Sequence, residues 1–236
     1  MQAWLVINPN TTDAVTQALL GHLRAAGPGL APAPWQAITA GFGAPYIADE
    51  SSFAIAGHAV LDAWERAQAQ APSGGFGGVL VGCFGDPGID ALRECTELPV
   101  WGLAEASLHA LWAQGARRVA IVTGGRKWQH MLLRWARAQG YVQPRADTGC
   151  CIHAVHVLDA SGGQMMQSPE AAAQALAHSC REALRDAQTD AVLIGGAGLA
   201  GMGARVRHLT GSAAVWDCVE LVRMHWAQHQ RGALAV

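Results

Sequence analysis

Short apolar runs alternate with helical stretches along the whole chain, the pattern of parallel strands flanked by helices. Trp4–Ile7 predicts a strand and Thr11–Ala26 a helix, with Asn10 or Thr11 placed to cap it. A short strand at Gln36–Thr39 precedes a loop, Gly41–Asp49, and a helix over Ser51–Ala71 closed by Pro72-Ser73-Gly74-Gly75. Val79–Gly82 reads as a buried strand. Asp86-Pro87-Gly88 then starts a helix to about Cys95, because proline suits a first turn where its missing N–H has no partner. Next come a strand at Val100-Trp101, a helix over Glu105–Gln114, a strand at Val119–Thr123, a helix over Trp128–Gln139 and a strand at Ile152–Leu158. Ser168 caps a long alanine-rich helix to about Ala187, and strands at Ala191–Ile194 and Ala213–Trp216 precede a last helix over Val219–Gln228.

The chain also repeats itself weakly. The run from Gly78 to Cys83 (GVLVGC) matches the run from Ala191 to Gly196 (AVLIGG), and Val100-Trp101 with Glu105 matches Val215-Trp216 with Glu220. Buried strands resemble each other in any parallel sheet, but two pairs that share nearly one offset favour a duplication. The expected fold class is α/β: two pseudo-symmetric lobes, each a mostly parallel sheet flanked by helices, with an active site in the cleft between them. Residues 1–115 with 210–236 form one of these interwoven lobes and 116–209 the other.

A chain of 236 residues buries a sizeable core. It is 51% hydrophobic and 14% charged with net charge −2, and no Lys/Arg cluster could neutralise a row of phosphates, so neither nucleic acid nor an anionic membrane is expected as partner. The first residues lack a positive segment, and no apolar run reaches the roughly 18 residues of a membrane span, so a cytoplasmic location is expected. Six cysteines show no CxxC spacing, and the histidines, His153 and His156 among them, form no zinc-type cluster, so no metal is expected. Most of the cysteines should be small buried hydrophobes. Trp35, Trp64, Trp112, Trp135 and Trp226 fall in periodic apolar patterns and predict packing, whereas Trp101 and Trp216 stand at matched strand ends that border the cleft. Tyr46 and the loop Gly41–Glu50 are either a lid or an ordinary connector.

Open α/β sheets bind ligands beyond the carboxyl ends of their strands. Four such ends combine small and hydrogen-bonding residues: Asn8–Thr12, Cys83–Gly88, Thr123–Gly125 and Gly195–Gly198. The stretch Gly196–Gly201 contains a G-x-G-x-x-G-like string after a strand, but too little chain follows for a dinucleotide-binding unit with its acidic ribose partner. Cys83 is the candidate acid/base. It ends a glycine-flanked strand ahead of the helix expected at Pro87, whose dipole would lower its thiol pKa toward neutrality.

The motifs INPNTT (Ile7–Thr12), GCFGDPGIDALRE (Gly82–Glu94) and the strand-GAG turn (Ala191–Gly198) together resemble hydantoin racemases, over nearly the whole chain and in order. These belong to the superfamily of aspartate, glutamate, hydantoin and allantoin racemases, maleate isomerases and arylmalonate decarboxylases. The resemblance implies an enzyme without cofactor that works at the α-carbon of a small carboxylate or cyclic ureide, often as a homo-oligomer. One thiolate removes the Cα proton and an opposing thiol delivers another. Carried over, Cys83 is the first-lobe acid/base. Asn10, Thr11, Thr123 and the backbone amides of Phe84 and Ala197 bind substrate oxygens, as oxyanion donors do.

The second cysteine should stand at Gly196 and is absent, and the repeat pairs Cys83 with the same glycine. The usual Thr-Thr of the second lobe reads Thr123-Gly124. Asp217 and Cys218 follow the last strand, where capping by Asp217 competes with a role for either as replacement acid/base. Three readings stay open: a racemase or isomerase acting through Cys83, a single-cysteine decarboxylase of malonate-type acids, and a binding protein on the same scaffold.

Overall fold

The computed structural model describes residues 2–25, 34–71, 73–143 and 149–233. Ala26 and Pro72, two helix-boundary residues of the sequence reading, lie outside these. The chain divides into two compact units, Met1–Glu105 and Ala106–Val236.

The first unit holds a four-stranded parallel sheet in the order β2-β1-β3-β4, built from β1 (Ala3–Asn8), β2 (Trp35–Thr39), β3 (Phe76–Val81) and β4 (Val100–Gly102). Its helices are α1 (Asp13–Arg24), α2 (Glu50–Ala69) and α3 (Ile89–Glu94). The central strands are apolar on both faces because helices cover both, and Leu5, Ile7, Val79 and Val81 are buried with Val60, Trp64 and Leu92. Aromatic packing locks the amino-terminal side. The Trp4 ring lies 4.1 Å from Trp101 and 5.6 Å from Trp35, and a Cβ at Gly78 would come within 2.5 Å of it. Trp101 therefore has a packing partner of its own.

The second unit repeats the plan in the order β6-β5-β7-β8, from β5 (Arg118–Gly124), β6 (Cys151–Leu158), β7 (Ala191–Ile194) and β8 (Val215–Asp217). Helix α4 (Leu103–Ala113) begins in the first unit and enters the second. It is followed by α5 (Trp128–Ala138), α6 (Gly162–Gln167), α7 (Pro169–Leu184), α8 (Gly203–Thr210) and α9 (Cys218–Ala233). Ala120, Val122, Leu176, Val192, Ile194 and Val206 form its core. No helix among the described residues is long and apolar enough to cross a membrane.

The α/β architecture with two parallel sheets matches the sequence reading, and several boundaries differ. The described part of 210–236, up to Ala233, falls in the second unit, where β8 pairs with β7. Neither Asn10 nor Thr11 caps α1: the N-cap is Thr12, and its side chain makes no capping bond. Ser168 is the N-cap of α7 without a side-chain bond, and that helix ends at Leu184. The Pro87 helix is shorter than expected, since Asp86 at φ 55° and Gly88 at φ 73° bend the chain through the left-handed region and α3 starts only at Ile89. Helices α6 and α8 were not foreseen; their glycine- and methionine-rich or basic sequences carry little apolar periodicity. Trp112 is 41% exposed rather than buried, with one ring face covered by Gly149 and the Arg117 guanidinium 6.0 Å away.

Candidate functional site

The carboxyl edge of the first sheet gathers two of the singled-out motifs. Strands β1 and β3 run side by side in register Ile7 with Val81, and the Gly82 amide donates to the Ile7 carbonyl at 2.8 Å. The turns Asn8–Thr12 and Gly82–Asp86 therefore leave neighbouring strands at the same edge. Glycine is needed at 82 because a Cβ there would meet Leu19 of α1 at 2.6 Å.

Asn8, missed in the sequence, organises the first turn. Its Nδ2 donates to Asn10 Oδ1 (3.0 Å), the Thr12 carbonyl (3.2 Å) and Thr16 Oγ1 (2.9 Å), and its Oδ1 accepts from the Asn10 amide. Asn10 Oδ1 also accepts from the Thr12 amide, so the Asn10 oxygen is engaged internally while its Nδ2 takes no part in this network. Both asparagines are buried, where such satisfaction is required. The Thr11 amide donates to the Ala44 carbonyl at 3.1 Å and Thr12 Oγ1 to the Pro45 carbonyl at 2.6 Å. These bonds tie the loop expected as lid or connector to the motif. Beside it Phe42, Tyr46, Asp49, Ser52 and Ile55 line a hollow of about 630 Å³.

Cys83 stands directly after that strand end, 8% exposed, its thiol 3.8 Å from the Phe84 carbonyl. It is the first residue of a turn closed by the Asp86 amide on the Cys83 carbonyl at 3.1 Å. Among the described residues the Phe84 amide has no acceptor, which leaves a donor next to the thiol. The helix dipole invoked for Cys83 is weakened, since α3 has six residues and begins well after the thiol.

Asp86, expected only to start the Pro87 helix, lies in the same turn and is 4% exposed. Its Oδ1 accepts from the Ala104 amide (2.9 Å) and its Oδ2 from the Glu105 amide (3.0 Å), so it caps α4 from a distance. Burial pushes its pKa up to about 8, against the pull of those two amides. The signal that could have found it is Gly102: a Cβ there would lie 2.1 Å from the Asp86 carboxyl carbon.

In the second unit, β5 and β7 are neighbours and bring Thr123 to the Gly195–Gly198 turn. Thr123 Oγ1 donates to the Gly195 carbonyl at 2.7 Å, so its one hydroxyl proton is already engaged. Gly196 has φ 134° and ψ 127°, and Ala197 opens a short 3-10 turn, Ala197–Leu199. Among the described residues the Ala197 amide, like that of Phe84, has no acceptor. Helix α6 closes over these ends: a Cβ at Gly124 would meet Met165 Cε at 2.4 Å, and one at Gly198 would meet Met166 Sδ at 3.2 Å. A second hollow, of about 510 Å³, lies beyond β6 and is lined by Val157, Asp159, Gln164, Met165, Ser168 and Ala171.

Neither Asp217 nor Cys218, the two candidate acid/base residues after the last strand, is poised for proton transfer. Asp217 caps α9, its Oδ1 accepting from the Val219 (3.1 Å) and Glu220 (2.9 Å) amides and its Oδ2 from the Gly203 amide (3.0 Å). The Cys218 sulfur is fully buried, 3.7 Å from the Gly196 carbonyl, and burial with the adjacent Asp217 pushes its pKa far up. Burial likewise raises the Cys150 and Cys180 thiols to about 12. Trp216 lies 5.5 Å from the Arg207 guanidinium, so it too has a packing partner. No group of three or more His, Cys, Asp or Glu among the described residues could hold a metal ion.

A model described as Asp/Glu/Hydantoin racemase matches residues 5–224. The chain belongs to the Asp/Glu/hydantoin racemase family. Hydantoin racemase from Paenarthrobacter aurescens is 29% identical over 202 residues, which cover 84% of this chain and 78% of that one. Among solved structures, allantoin racemase from Klebsiella pneumoniae superposes with a TM-score of 0.79 at 27% identity, covering 98% of this chain and 89% of that one. A double mutant of arylmalonate decarboxylase in its liganded form shares the fold, with a TM-score of 0.68 at 20% identity over 98% of this chain and 92% of that one. Membership of this family makes the chain a racemase-type enzyme.

Proposed function

We propose that this racemase acts without a cofactor at the α-carbon of a hydantoin, an amino acid or a related small carboxylate, with Cys83 as the proton-transfer group. The observation that carries the reading is a thiol at a strand's carboxyl end followed by an amide, that of Phe84, which has no acceptor among the described residues. The Cys83 thiolate takes the Cα proton and leaves a planar enolate. Negative charge collects on the adjacent oxygen, where the Phe84 amide, Asn10 and Thr11 stabilise it. The Ala197 amide is the matching donor proposed for the second unit, where Thr123 can act only by turning its hydroxyl away from the Gly195 carbonyl. Reprotonation by the same thiol restores the starting hand, and reprotonation from water on the other face inverts it.

A single thiol makes a specific kinetic demand. In D₂O, exchange of the Cα proton runs ahead of loss of optical rotation, because most reprotonations return to the original face. Replacing Cys83 by Ala should lower both by about 10²–10⁴-fold, the usual effect of losing a positioned acid/base. Racemisation of a hydantoin or allantoin that survives Cys83→Ala would sink the assignment.

A decarboxylase is the second reading, and Gly196 favours it. Loss of CO₂ from a malonate-type acid generates the carbanion without a base, so one donor, Cys83, suffices. The test is release of CO₂ from an aryl- or alkylmalonate, with a product protonated from the Cys83 face. Binding of these acids with neither exchange nor CO₂ release would leave the scaffold a binding protein.

A further inference from the structure

We propose that Asp86 is a positioning residue for Cys83, clipping the turn that carries the thiol to the first amides of α4. This rests on the assignment of Cys83 above. Two ends of the clip are seen. The Asp86 amide closes the turn on the Cys83 carbonyl, and the two Asp86 carboxyl oxygens take the Ala104 and Glu105 amides.

Helix capping alone does not account for this arrangement, because the second unit caps the matching helix by a simpler route. There the carboxylate is Asp217, at the repeat position of Gly102. It reaches the Val219 and Glu220 amides, the counterparts of Ala104 and Glu105, from its own strand end. The surroundings correspond as well: Arg93 bonds the Val100 carbonyl and Glu105, as Arg207 bonds the Val215 carbonyl and Glu220. Asp217's remaining oxygen holds the Gly203 amide at the start of α8, not the turn at Gly196. In the first unit the same cap comes from the thiol's own turn. It needs a non-glycine residue at φ 55° and a glycine at 102 to make room. What this route adds is attachment of the Cys83 turn to a rigid helix.

The experiment moves the carboxylate. Asp86→Ala with Gly102→Asp rebuilds the cap in the manner of the second unit and releases the turn. The midpoint of thermal unfolding reads the cap, and kcat against KM, with the pH profile of iodoacetamide alkylation at Cys83 followed by peptide mass, reads the thiol. Relative to the single Asp86→Ala variant, the transplant should regain most of the melting midpoint. Its kcat should stay about ten- to a hundredfold below the wild type at little-changed KM, the scale of a small misplacement of a reacting group. Recovery of kcat together with the midpoint overturns the proposal. Should the transplant not fold, Asp86→Asn, which keeps the shape and one acceptor, takes its place. A shifted alkylation profile with lowered kcat supports the clip, and wild-type values for both overturn it. If the wild type racemises nothing, the reading of Cys83 as catalyst fails separately, and an alkylation profile unchanged in Asp86→Asn still overturns the clip.

Discussion

Replacing Gly196 by Ala or Cys tests the local geometry of the second unit. Space is not the obstacle, because a Cβ at 196 would meet Leu199 at 3.6 Å and Thr123 Oγ1 at 3.7 Å, ordinary contact distances. The backbone is. At φ 134° and ψ 127°, residue 196 occupies a region that L side chains avoid, at a cost of about 1–3 kcal/mol. Loss of glycine's unfolded-state freedom offsets about 0.4–1 kcal/mol of this. A net destabilisation of about 1–2 kcal/mol corresponds to a drop of about 2–8 °C in melting midpoint for a chain of this size. Gly196→Ala isolates the strain, and calorimetry reads it. Gly196→Cys carries the same strain and adds a thiol at the repeat position of Cys83. Where the turn relaxes to accept it, racemisation should rise by about 10²-fold or more over the wild type, with the lead of exchange over loss of rotation disappearing. An Ala variant that melts at or above the wild type would refute the strain argument.

Acid should destabilise the protein through His225. Burial, with His109 and His229 nearby, holds its pKa down at about 4 from 6.5, so only the unfolded chain takes up the proton in that window. Stability is therefore intact above pH 6.5 and lost as pH falls toward 4, and His225→Gln should flatten that slope of melting midpoint against pH; an unchanged slope excludes it. Gly102→Ala forces the Asp86 carboxyl out of its place, 2.1 Å from the new Cβ, and should cost about 2–4 kcal/mol in urea unfolding through overpacking and a lost cap. Asp217→Asn should lower the melting midpoint, with a loss of about 1–3 kcal/mol from the α9 cap. The pH profile of kcat should stay unaltered; a shifted profile would give Asp217 a part in proton transfer.

The strands were legible because Val, Ile and Leu runs bounded by glycine and proline admit few other readings, and the strand-end motifs followed from them. Periodicity is weak where the chain turns through special backbone. The Pro87 helix was drawn too long because Asp86 is a non-glycine residue in the left-handed region, which composition does not reveal. Ser168 does stand at the N-cap of α7, but neither it nor Thr12 at the N-cap of α1 makes a side-chain capping bond, because a Ser or Thr at the right position does not say which hydrogen bond its oxygen will make. The roles of Asn8 and Asp86 escaped notice because they depend on residues distant in sequence, Thr39 through Thr16 and Ala104 with Glu105. That residue 196 is a glycine was plain in the sequence, but its conformation, φ 134° and ψ 127°, was not.

The repeat separates what a strand end needs in order to fold from what it needs in order to react. An arginine–glutamate pair stands at the start of α4 and again at the start of α9, each with a carboxylate across that helix's first amides, although the carboxylate comes from different positions, 86 and 217. Retaining the cap while its source changes is what a structural requirement predicts, because any oxygen at the same point satisfies the same amides. The strand-end turns have diverged where no such requirement holds. In the first unit the turn carries a thiol on ordinary backbone and is tied to a helix; in the second it carries a glycine on backbone that resists any side chain. A turn that had only lost its sulfur would still accept a Cβ in a relaxed conformation. Position 196, at φ 134°, lies in a region that L side chains avoid, so its turn favours glycine.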